Sequence, residues 1–254
     1  MSFESLTFGR LRNFGAVDRM LLLLSIVCSA TYFVTQAWQP FPGSVILKAL
    51  SVAPLAMIAF RALGEPADHP RGVEWLRDSD NVILGMALAF SSLGDVLLDL
   101  GSERLFVRGL QVFLFAHFIY ILLFVRNWPW PLRPNGGQLA LVAAVLIYSL
   151  LLAHWLGPSL GGVAPHVMVY VCAITVMVVT AILAGFSRPW VGAGAILFLI
   201  SDTIIAVDKF KSGVAMGDYL VWATYYLAQY GIAIGFLREK LGDAQTSADA
   251  SRPR

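Results

Sequence analysis

Eight long apolar runs occupy most of this 254-residue chain. A helix needs about 20 mostly apolar residues to cross the roughly 30 Å of hydrocarbon in a bilayer. The runs are too long for the strands of a membrane barrel, and they lack the alternating apolar and polar pattern of such strands. We therefore expect an all-α membrane protein, a polytopic bundle of about eight transmembrane helices. Their expected windows are residues 20–36, 44–60, 81–100, 105–125, 138–156, 164–186, 190–207 and 217–237.

The composition leaves no room for a separate soluble domain. Charged residues make up 13% of the chain, whereas about 25% is typical of soluble domains. We predict one transmembrane domain at residues 1–237, followed by a polar, disordered cytoplasmic tail at 238–254. The two cysteines, Cys28 and Cys172, fall within predicted helices and indicate neither a disulfide framework nor a metal site.

Basic residues are distributed unequally between the two sides of the predicted bundle. Eight helices place both termini on one side, which carries 13 Lys and Arg residues against 4 on the other. Cytoplasmic loops of membrane proteins are enriched in these residues. The count predicts that both termini are cytoplasmic, and the Ala-, Gly- and Leu-rich composition favours a bacterial inner membrane. Because loop arginines account for the basic balance, it does not indicate nucleic-acid binding.

Two aspartates lie where a membrane helix is expected to be apolar. Asp95 and Asp202 each fall about two-thirds of the way along a predicted helix, the third and the seventh. An acid near the bilayer centre costs about 2.5–3.5 kcal/mol even on lenient insertion scales. Both helices start in the cytoplasm, so both acids are predicted at similar depth in the outer half of the membrane. We interpret them as functional. The structural alternative is a pair of packing residues, hydrogen-bonded to Ser91, Ser92 or Ser201.

The segments that precede the two acids resemble each other. Residues 87–95 read Ala-Leu-Ala-Phe-Ser-Ser-Leu-Gly-Asp, and residues 194–202 read Gly-Ala-Ile-Leu-Phe-Leu-Ile-Ser-Asp. Each segment falls in the third helix of one half of the chain. The pattern favours two four-helix repeats in parallel orientation, as in several transporter folds. Chance similarity between apolar helices is the alternative.

Other polar residues are predicted at the same depth. They come from different helices, and their convergence indicates a binding site more strongly than any one of them does. Two further acids, Asp99 and Asp208, lie near helix ends, where we expect solvated positions or local ion pairs. The candidate binding residues are Lys48, His117, Tyr120, His166, Tyr170, Tyr225, Tyr226 and Gln229.

Several other chemistries are not favoured by the sequence. No His-x-x-x-His pair occurs, so we expect no zinc or other metal site. An intramembrane aspartyl protease also uses two helix-borne aspartates, but its first Asp normally follows Gly-x-Gly. Here the first acid is preceded by Ser92-Leu93-Gly94.

The residues around these acids resemble the YhhN family of lysoplasmalogenases, which includes the eukaryotic lysoplasmalogenases. Gly-Asp and Ser-Asp, the elements that contain the two acids, are the most specific parts of the match when taken together. The matching segments are residues 85–98, Ala116 and His117 with Tyr120, Pro165 with Tyr170, residues 201–210 and residues 225–229.

The resemblance implies hydrolysis of the vinyl ether bond of a lysoplasmalogen, which releases a fatty aldehyde and a glycerophospho-alcohol. Protonation of a vinyl ether carbon creates an oxocarbenium-like cation, which glycosidases meet with two carboxyl groups. The pair Asp95 and Asp202 would supply the acid and the base. Lys48 and His166 would hold the lipid phosphate. Water and the leaving oxygen would be ordered by His117, Tyr225, Tyr226 and Gln229. The implied partners are a single-chain lipid substrate and membrane lipids, and no cofactor is implied.

Two functions of other classes also accommodate intramembrane acids. In a small-solute or proton-coupled transporter, the two aspartates would carry charge. Against this alternative, no corresponding pair of predicted helices is interrupted by Gly or Pro in the manner of half-helix binding sites. In a structural or lipid-binding scaffold, neither acid would matter to anything except folding.

The predicted topology can be tested by cysteine labelling. Ser102→Cys and Ser212→Cys, each in a protein without Cys28 and Cys172, place single thiols in loops on the predicted outer side. An impermeant thiol reagent should label both from outside intact cells, because loops poor in Lys and Arg are translocated. Labelling of both only from the cytoplasmic face of oriented vesicles would contradict the orientation.

Overall fold

The computed structural model describes residues 15–39, 41, 43–62, 74–101 and 103–250. In this part of the chain the regular secondary structure is helical, and no strand occurs. The eight long helices of the described residues are α1 (Ala16–Thr35), α2 (Ser44–Arg61), α3 (Glu74–Asp99), α4 (Glu103–Arg126), α5 (Gly136–Leu156), α6 (Ala164–Leu183), α7 (Trp190–Phe210) and α8 (Gly217–Ala250).

Each of these helices contains a stretch long and apolar enough to cross a membrane. The spans follow the predicted windows closely: the third runs Ser79–Asp99 and the eighth runs Gly217–Lys240. The prediction of an all-α bundle with eight membrane spans is confirmed.

The last helix extends beyond its predicted end. We predicted a disordered tail from residue 238, whereas α8 continues to Ala250. Residues 238–250 include Arg, Glu, Lys, Leu, Ala and Gln, which have high helix propensity, so the helix can continue into the polar segment. Residues 251–254 of the predicted tail lie outside the described part of the chain.

The helices pack as a closed ring of neighbours. Helix α2 packs against α1 and α3, α3 against α4, α4 against α6, α6 against α7, and α7 against α8, which returns to α1, α2 and α3. Helix α5 lies outside this ring against α6 and α7. Accordingly, 17% of the α5 span is buried in the protein, against 61% of the α6 span. The seven helices of the ring, all except α5, enclose its interior.

The pattern of helix pairs agrees with the suggested repeat. The pairs α1–α2, α2–α3 and α3–α4 have counterparts in α5–α6, α6–α7 and α7–α8. The pair α4–α6 corresponds in the same way to α8–α2. The main contacts are thus reproduced when each helix number is raised by four and the count returns to α1 after α8. A two-fold relation between the halves requires this pattern. The repeat itself stays a prediction.

An ion-pair cluster joins three helices at the end of the bundle where α1 begins. The carboxylate of Asp80 on α3 accepts a hydrogen bond from Arg126 Nε at 2.7 Å and another from Lys240 Nζ at 3.0 Å. Lys240 also donates to the side chain of Asn127 at 2.7 Å. Because Asp80 is buried, its two cations offset the cost of its charge and fix α3, α4 and α8 relative to one another.

Helices α7 and α8 approach each other closely through small residues. A Cβ atom on Gly194 would lie 2.8 Å from the carbonyl oxygen of Ala228, and one on Gly235 would lie 2.8 Å from Trp190 Cβ. Small residues at membrane-helix interfaces let the two backbones come together. This contact sets the position of α8, which carries several of the candidate site residues.

The close contact predicts opposite outcomes for two glycines on α7. Gly194→Ala should destabilise the protein by about 1–3 kcal/mol, because the added methyl group clashes with backbone atoms of α8. Gly192→Ala is the matched control, since its Cβ would come no closer than 4.0 Å to a neighbouring atom. Thermal unfolding in detergent measures both. Equal melting temperatures for the two variants would show that the helices are not in close contact there.

Candidate active site

A cavity of about 400 Å³ lies at the end of the bundle opposite the start of α1. Residues from all eight helices line it. The odd-numbered helices contribute from their C-terminal halves and the even-numbered helices from their N-terminal halves. Asp95 and Asp202 both line this cavity. The two acids therefore face one shared space, at the level where the sequence placed them.

Asp95 is enclosed by α3, α4 and α8. Only 3% of the residue is exposed, and its carboxylate accepts a hydrogen bond from the Tyr225 hydroxyl at 2.7 Å. The preceding residue is Gly94, where a Cβ atom would lie 2.6 Å from the ring of Phe113. The glycine thus admits the ring of α4 beside the acid. The tyrosine hydroxyl replaces part of the hydration that the carboxylate loses on burial.

Asp202 has a different pair of neighbours. The Tyr170 hydroxyl of α6 donates to its carboxylate at 2.6 Å, and Nε2 of His117 on α4 lies 4.0 Å from the same oxygen. The latter distance is too long for a direct hydrogen bond and short enough for one bridging water. His117 is fully buried between the rings of Tyr170 and Phe198. Neither of its ring nitrogens has a hydrogen-bond partner among the described residues.

Tyr120 and Gln229 lie behind this site rather than in it. The Tyr120 hydroxyl donates to Gln229 Oε1 at 2.6 Å, and both residues are fully buried outside the cavity lining. This bond joins α4 to α8 next to Tyr225. Both residues can therefore position the aromatic donor without touching a ligand in the cavity.

The serines that the sequence offered as partners of the acids bond elsewhere. Each donates its hydroxyl to a backbone carbonyl: Ser91 to Ala87, Ser92 to Ala49 and Ser201 to Val221. Tyrosines from distant parts of the chain serve the two carboxylates instead. The hydrogen-bond donors of both acids are therefore residues that line the cavity. If the acids were only packing residues, their donors would not have to lie there.

Lys48 and Asp99 form an ion pair in the cavity wall. Lys48 Nζ lies 3.4 Å from the Asp99 carboxylate, which also accepts hydroxyl hydrogen bonds from Tyr32 at 2.6 Å and Ser44 at 3.0 Å. We expected a solvated position or a local ion pair for Asp99. The ion pair is present, but the side chain is only 5% exposed, and its cation is 51 residues away in sequence rather than a local neighbour. The end of α3 is covered by α1 and α2, which sequence position alone did not reveal.

Comparison with known proteins identifies the family. The chain matches the YhhN family over residues 43–236. It belongs to the YhhN family. A lysoplasmalogenase of Mycobacterium bovis is 32% identical over 221 residues, which is 82% of this chain and 80% of that protein. Lysoplasmalogenase TMEM86A of Bos taurus is 31% identical over 235 residues, 86% and 90% of the two chains, and TMEM86A of Homo sapiens is 30% identical over 226 residues, 84% and 86%. No solved structure matches. The resemblance seen in the sequence is thereby confirmed.

Besides His117, Tyr120 and Gln229, two further predicted binding residues of this YhhN protein do not line the cavity. His166 is exposed in the first turn of α6, although Tyr170 on the same helix face is buried in the site. Tyr226 lies beside Tyr225 in sequence but directs its hydroxyl to Ser25, at 2.9 Å. Neither residue lines the cavity. A shared face or an adjacent position thus did not suffice to predict contact with the site.

The sequence also missed several lining residues at the end of α1 and the start of α8. They share the depth of the predicted site, because a late position in an odd-numbered helix and an early position in an even-numbered helix lie at the same end. Applying that rule to every polar or aromatic residue would have found them. These residues are Tyr32, Gln36, Gln39, Asp218 and Trp222.

One hydrolase-like pattern in the chain has the wrong structural context. Residues 157–161 read Gly-Pro-Ser-Leu-Gly, which fits the Gly-x-Ser-x-Gly pattern of serine hydrolases. That pattern exposes its serine on a sharp turn between a strand and a helix. Here the segment forms 3₁₀ turns between α5 and α6, and Ser159 does not line the cavity. The pair of aspartates therefore remains the candidate centre.

The ion pair predicts a coupled effect on stability. Lys48→Met leaves the Asp99 carboxylate with hydroxyl donors only, so we expect a loss of roughly 2–3 kcal/mol. Adding Asp99→Asn to this variant should restore much of the stability, because the unpaired charge is removed. Melting temperatures in detergent measure the coupling, with Arg104→Met at an exposed position of α4 as control. Additive effects of the two substitutions would contradict the pairing.

Proposed function

We propose that this chain is a lysoplasmalogenase in which Asp95 and Asp202 form the acid and base pair. The observation that carries the proposal is the shared cavity: two carboxyl groups inside a membrane-spanning bundle, each with a tyrosine hydroxyl donor. Relatives at about 30% identity over most of the chain are lysoplasmalogenases. Their names support hydrolysis of a lysoplasmalogen, and they do not favour the transporter alternative.

The reaction needs one proton donor and one proton acceptor. A carboxylic acid protonates the β-carbon of the vinyl ether, and the α-carbon becomes part of an oxocarbenium-like cation. A carboxylate stabilises this cation and takes a proton from the water that attacks the α-carbon. The resulting hemiacetal breaks its bond to the glycerol oxygen, which leaves with a proton, and the chain is released as a fatty aldehyde. The steps consume one water and require no net change in enzyme protonation.

The surroundings of the two acids favour a division of roles. Asp202 has His117 within reach of a water between them, so it suits the activation of the attacking water. Asp95 is the more deeply buried acid, because it is buried whereas Asp202 is only partly buried. Because a neutral carboxylic acid is less costly to bury than a carboxylate, Asp95 suits the proton donor.

Lys48 is the candidate for the lipid phosphate, because it is a cation that lines the cavity next to the acids. His166 is not assigned this role, since it is exposed and does not line the cavity. A single-chain lipid would enter sideways from the bilayer. With both termini in the cytoplasm, the cavity would open in the outer half of the membrane, facing the periplasm in a bacterial inner membrane.

Aldehyde release tests the pair directly. Purified protein given a lysoplasmalogen should release fatty aldehyde without added metal or nucleotide. Asp95→Asn and Asp202→Asn should each lower the rate by about 100-fold or more, because a positioned acid or base contributes at least that factor.

Asp18→Asn, which alters an ion pair at the other end of the bundle, is the matched control and should keep the wild-type rate. Melting temperatures show that each variant is folded. Folded Asn variants with full activity would remove Asp95 and Asp202 from the mechanism.

A further inference from the structure

Two glutamine side chains at the end of α1 present unpaired polar atoms beside the cavity. Gln36 Oε1 and Gln39 Nε2 are buried, and neither atom has a hydrogen-bond partner among the described residues. Both residues line the cavity. A buried polar atom without a partner costs free energy, so each one in a native structure requires an explanation. A ligand that donates a hydrogen bond to Gln36 Oε1 and accepts one from Gln39 Nε2 would explain both unpaired atoms.

Charges of both signs accompany these two atoms. Lys48 is a cation in the same wall, where it is paired with Asp99 on one side, and Asp218 at the start of α8 is a carboxylate that lines the cavity. Gln36 is held next to Asp218, because its Nε2 donates to the Asp218 backbone carbonyl at 3.1 Å. One part of the wall therefore offers a cation with a free N–H donor, and the adjoining part offers a carboxylate with a free carbonyl acceptor. This set is complementary to a zwitterion with a phosphate and an ammonium group.

Another part of the cavity lining is apolar. Its residues belong to α5, α6 and α7 and pack in one hydrophobic cluster, which includes Leu152, Val167, Val171, Ala206 and Phe210. A hydrocarbon chain fits this wall, whereas a charged head group does not. A lysolipid with its head group toward α1 and α8 and its chain toward α5 and α7 spans the cavity. Its vinyl ether bond then lies in the same cavity that Asp95 and Asp202 line.

The aromatic rings of the polar wall discriminate between two kinds of ammonium. A quaternary ammonium cannot donate a hydrogen bond and is recognised by open aromatic faces. Lys48 Nζ already lies over the rings of Tyr32 and Trp222, 5.3 and 5.7 Å from their centroids. A primary ammonium instead needs hydrogen-bond acceptors, and Gln36 Oε1 and the Asp218 carboxylate are acceptors of that kind.

We propose that this wall is a head-group subsite selective for phosphoethanolamine over phosphocholine. Gln36 Oε1 and Asp218 bind the primary ammonium, while Lys48 and Gln39 Nε2 bind the phosphate. The inference rests on the proposed lysoplasmalogenase function and names the substrate class of that site.

The test compares two lysoplasmalogens with the same alkenyl chain and different head groups. Wild-type protein should show a kcat/KM about tenfold higher for the ethanolamine lipid than for the choline lipid. This factor corresponds to the free energy of one hydrogen bond to a charged group. Gln36→Leu should bring this ratio near one through loss of activity on the ethanolamine lipid. Gln36→Glu, which retains an acceptor, should preserve the ratio. Gln39→Leu should lower kcat/KM for both lipids by the same factor, because both carry the phosphate.

Gln111→Leu, on the exposed face of α4, is the matched control and should leave both rates unchanged. If Gln36→Leu does not fold, Asp218→Asn provides the same readout. Equal wild-type kcat/KM values for the two lipids, or a ratio unaffected by Gln36→Leu and Asp218→Asn, would overturn the subsite while hydrolysis stands. Absence of hydrolysis of both lipids by folded wild-type protein would instead overturn the proposed function.

Discussion

Burial of two carboxyl groups inside a bundle of apolar helices is the constraint on which the rest of this structure depends. Water cannot hydrate these groups freely there, so the protein must supply the hydrogen-bond donors. Tyr225 brings a donor to Asp95 from α8, and Tyr170 brings one to Asp202 from α6. Helices α6 and α8 must therefore lie beside the helices that carry the acids. The contact of α7 with α8 through Gly194 serves the same arrangement, because it fixes the helix that bears Tyr225.

The level of a residue along the bundle could be predicted from the sequence, but its contacts could not. A helix rises about 1.5 Å per residue, so counting from the ends of the apolar runs placed Asp95, Asp202 and Lys48 at one level. The count does not say which side of a helix faces which neighbour. The hydroxyl that serves Asp95 comes from a residue 130 positions away. For the same reason His166 was placed in the site, and Asp99 was expected to be solvated or in a local ion pair. The packing of α1 and α2 buries Asp99 and pairs it with Lys48.

The two walls of the cavity reflect the helices that form them. Helix α5 lies at the periphery with the smallest buried share among the described spans, so the space beside it is bounded by apolar side chains suited to lipid. Helices α1, α2 and α8 pack on one another and bring the polar groups around Lys48 together. An amphipathic single-chain lipid offers both a polar and an apolar part to such a cavity. A small polar solute would have no use for the apolar wall, which is a physical reason to prefer lipid hydrolysis to solute transport.

The two acids occupy similar positions in helices α3 and α7, the helices that the predicted repeat relates, but their neighbours differ. On α8, Tyr225 bonds to Asp95 of α3, whereas between α4 and α7 Nε2 of His117 lies 4.0 Å from the Asp202 carboxylate. One half thus supplies a phenol and the other an imidazole at the same place in the helix pattern. A tyrosine donates one hydrogen bond, whereas a neutral imidazole can also accept a proton. Two equivalent acids would compete for the same role, since each reaction cycle needs one donor and one acceptor. The exchange of tyrosine for histidine removes that equivalence, which is what acid and base catalysis by a carboxyl pair requires.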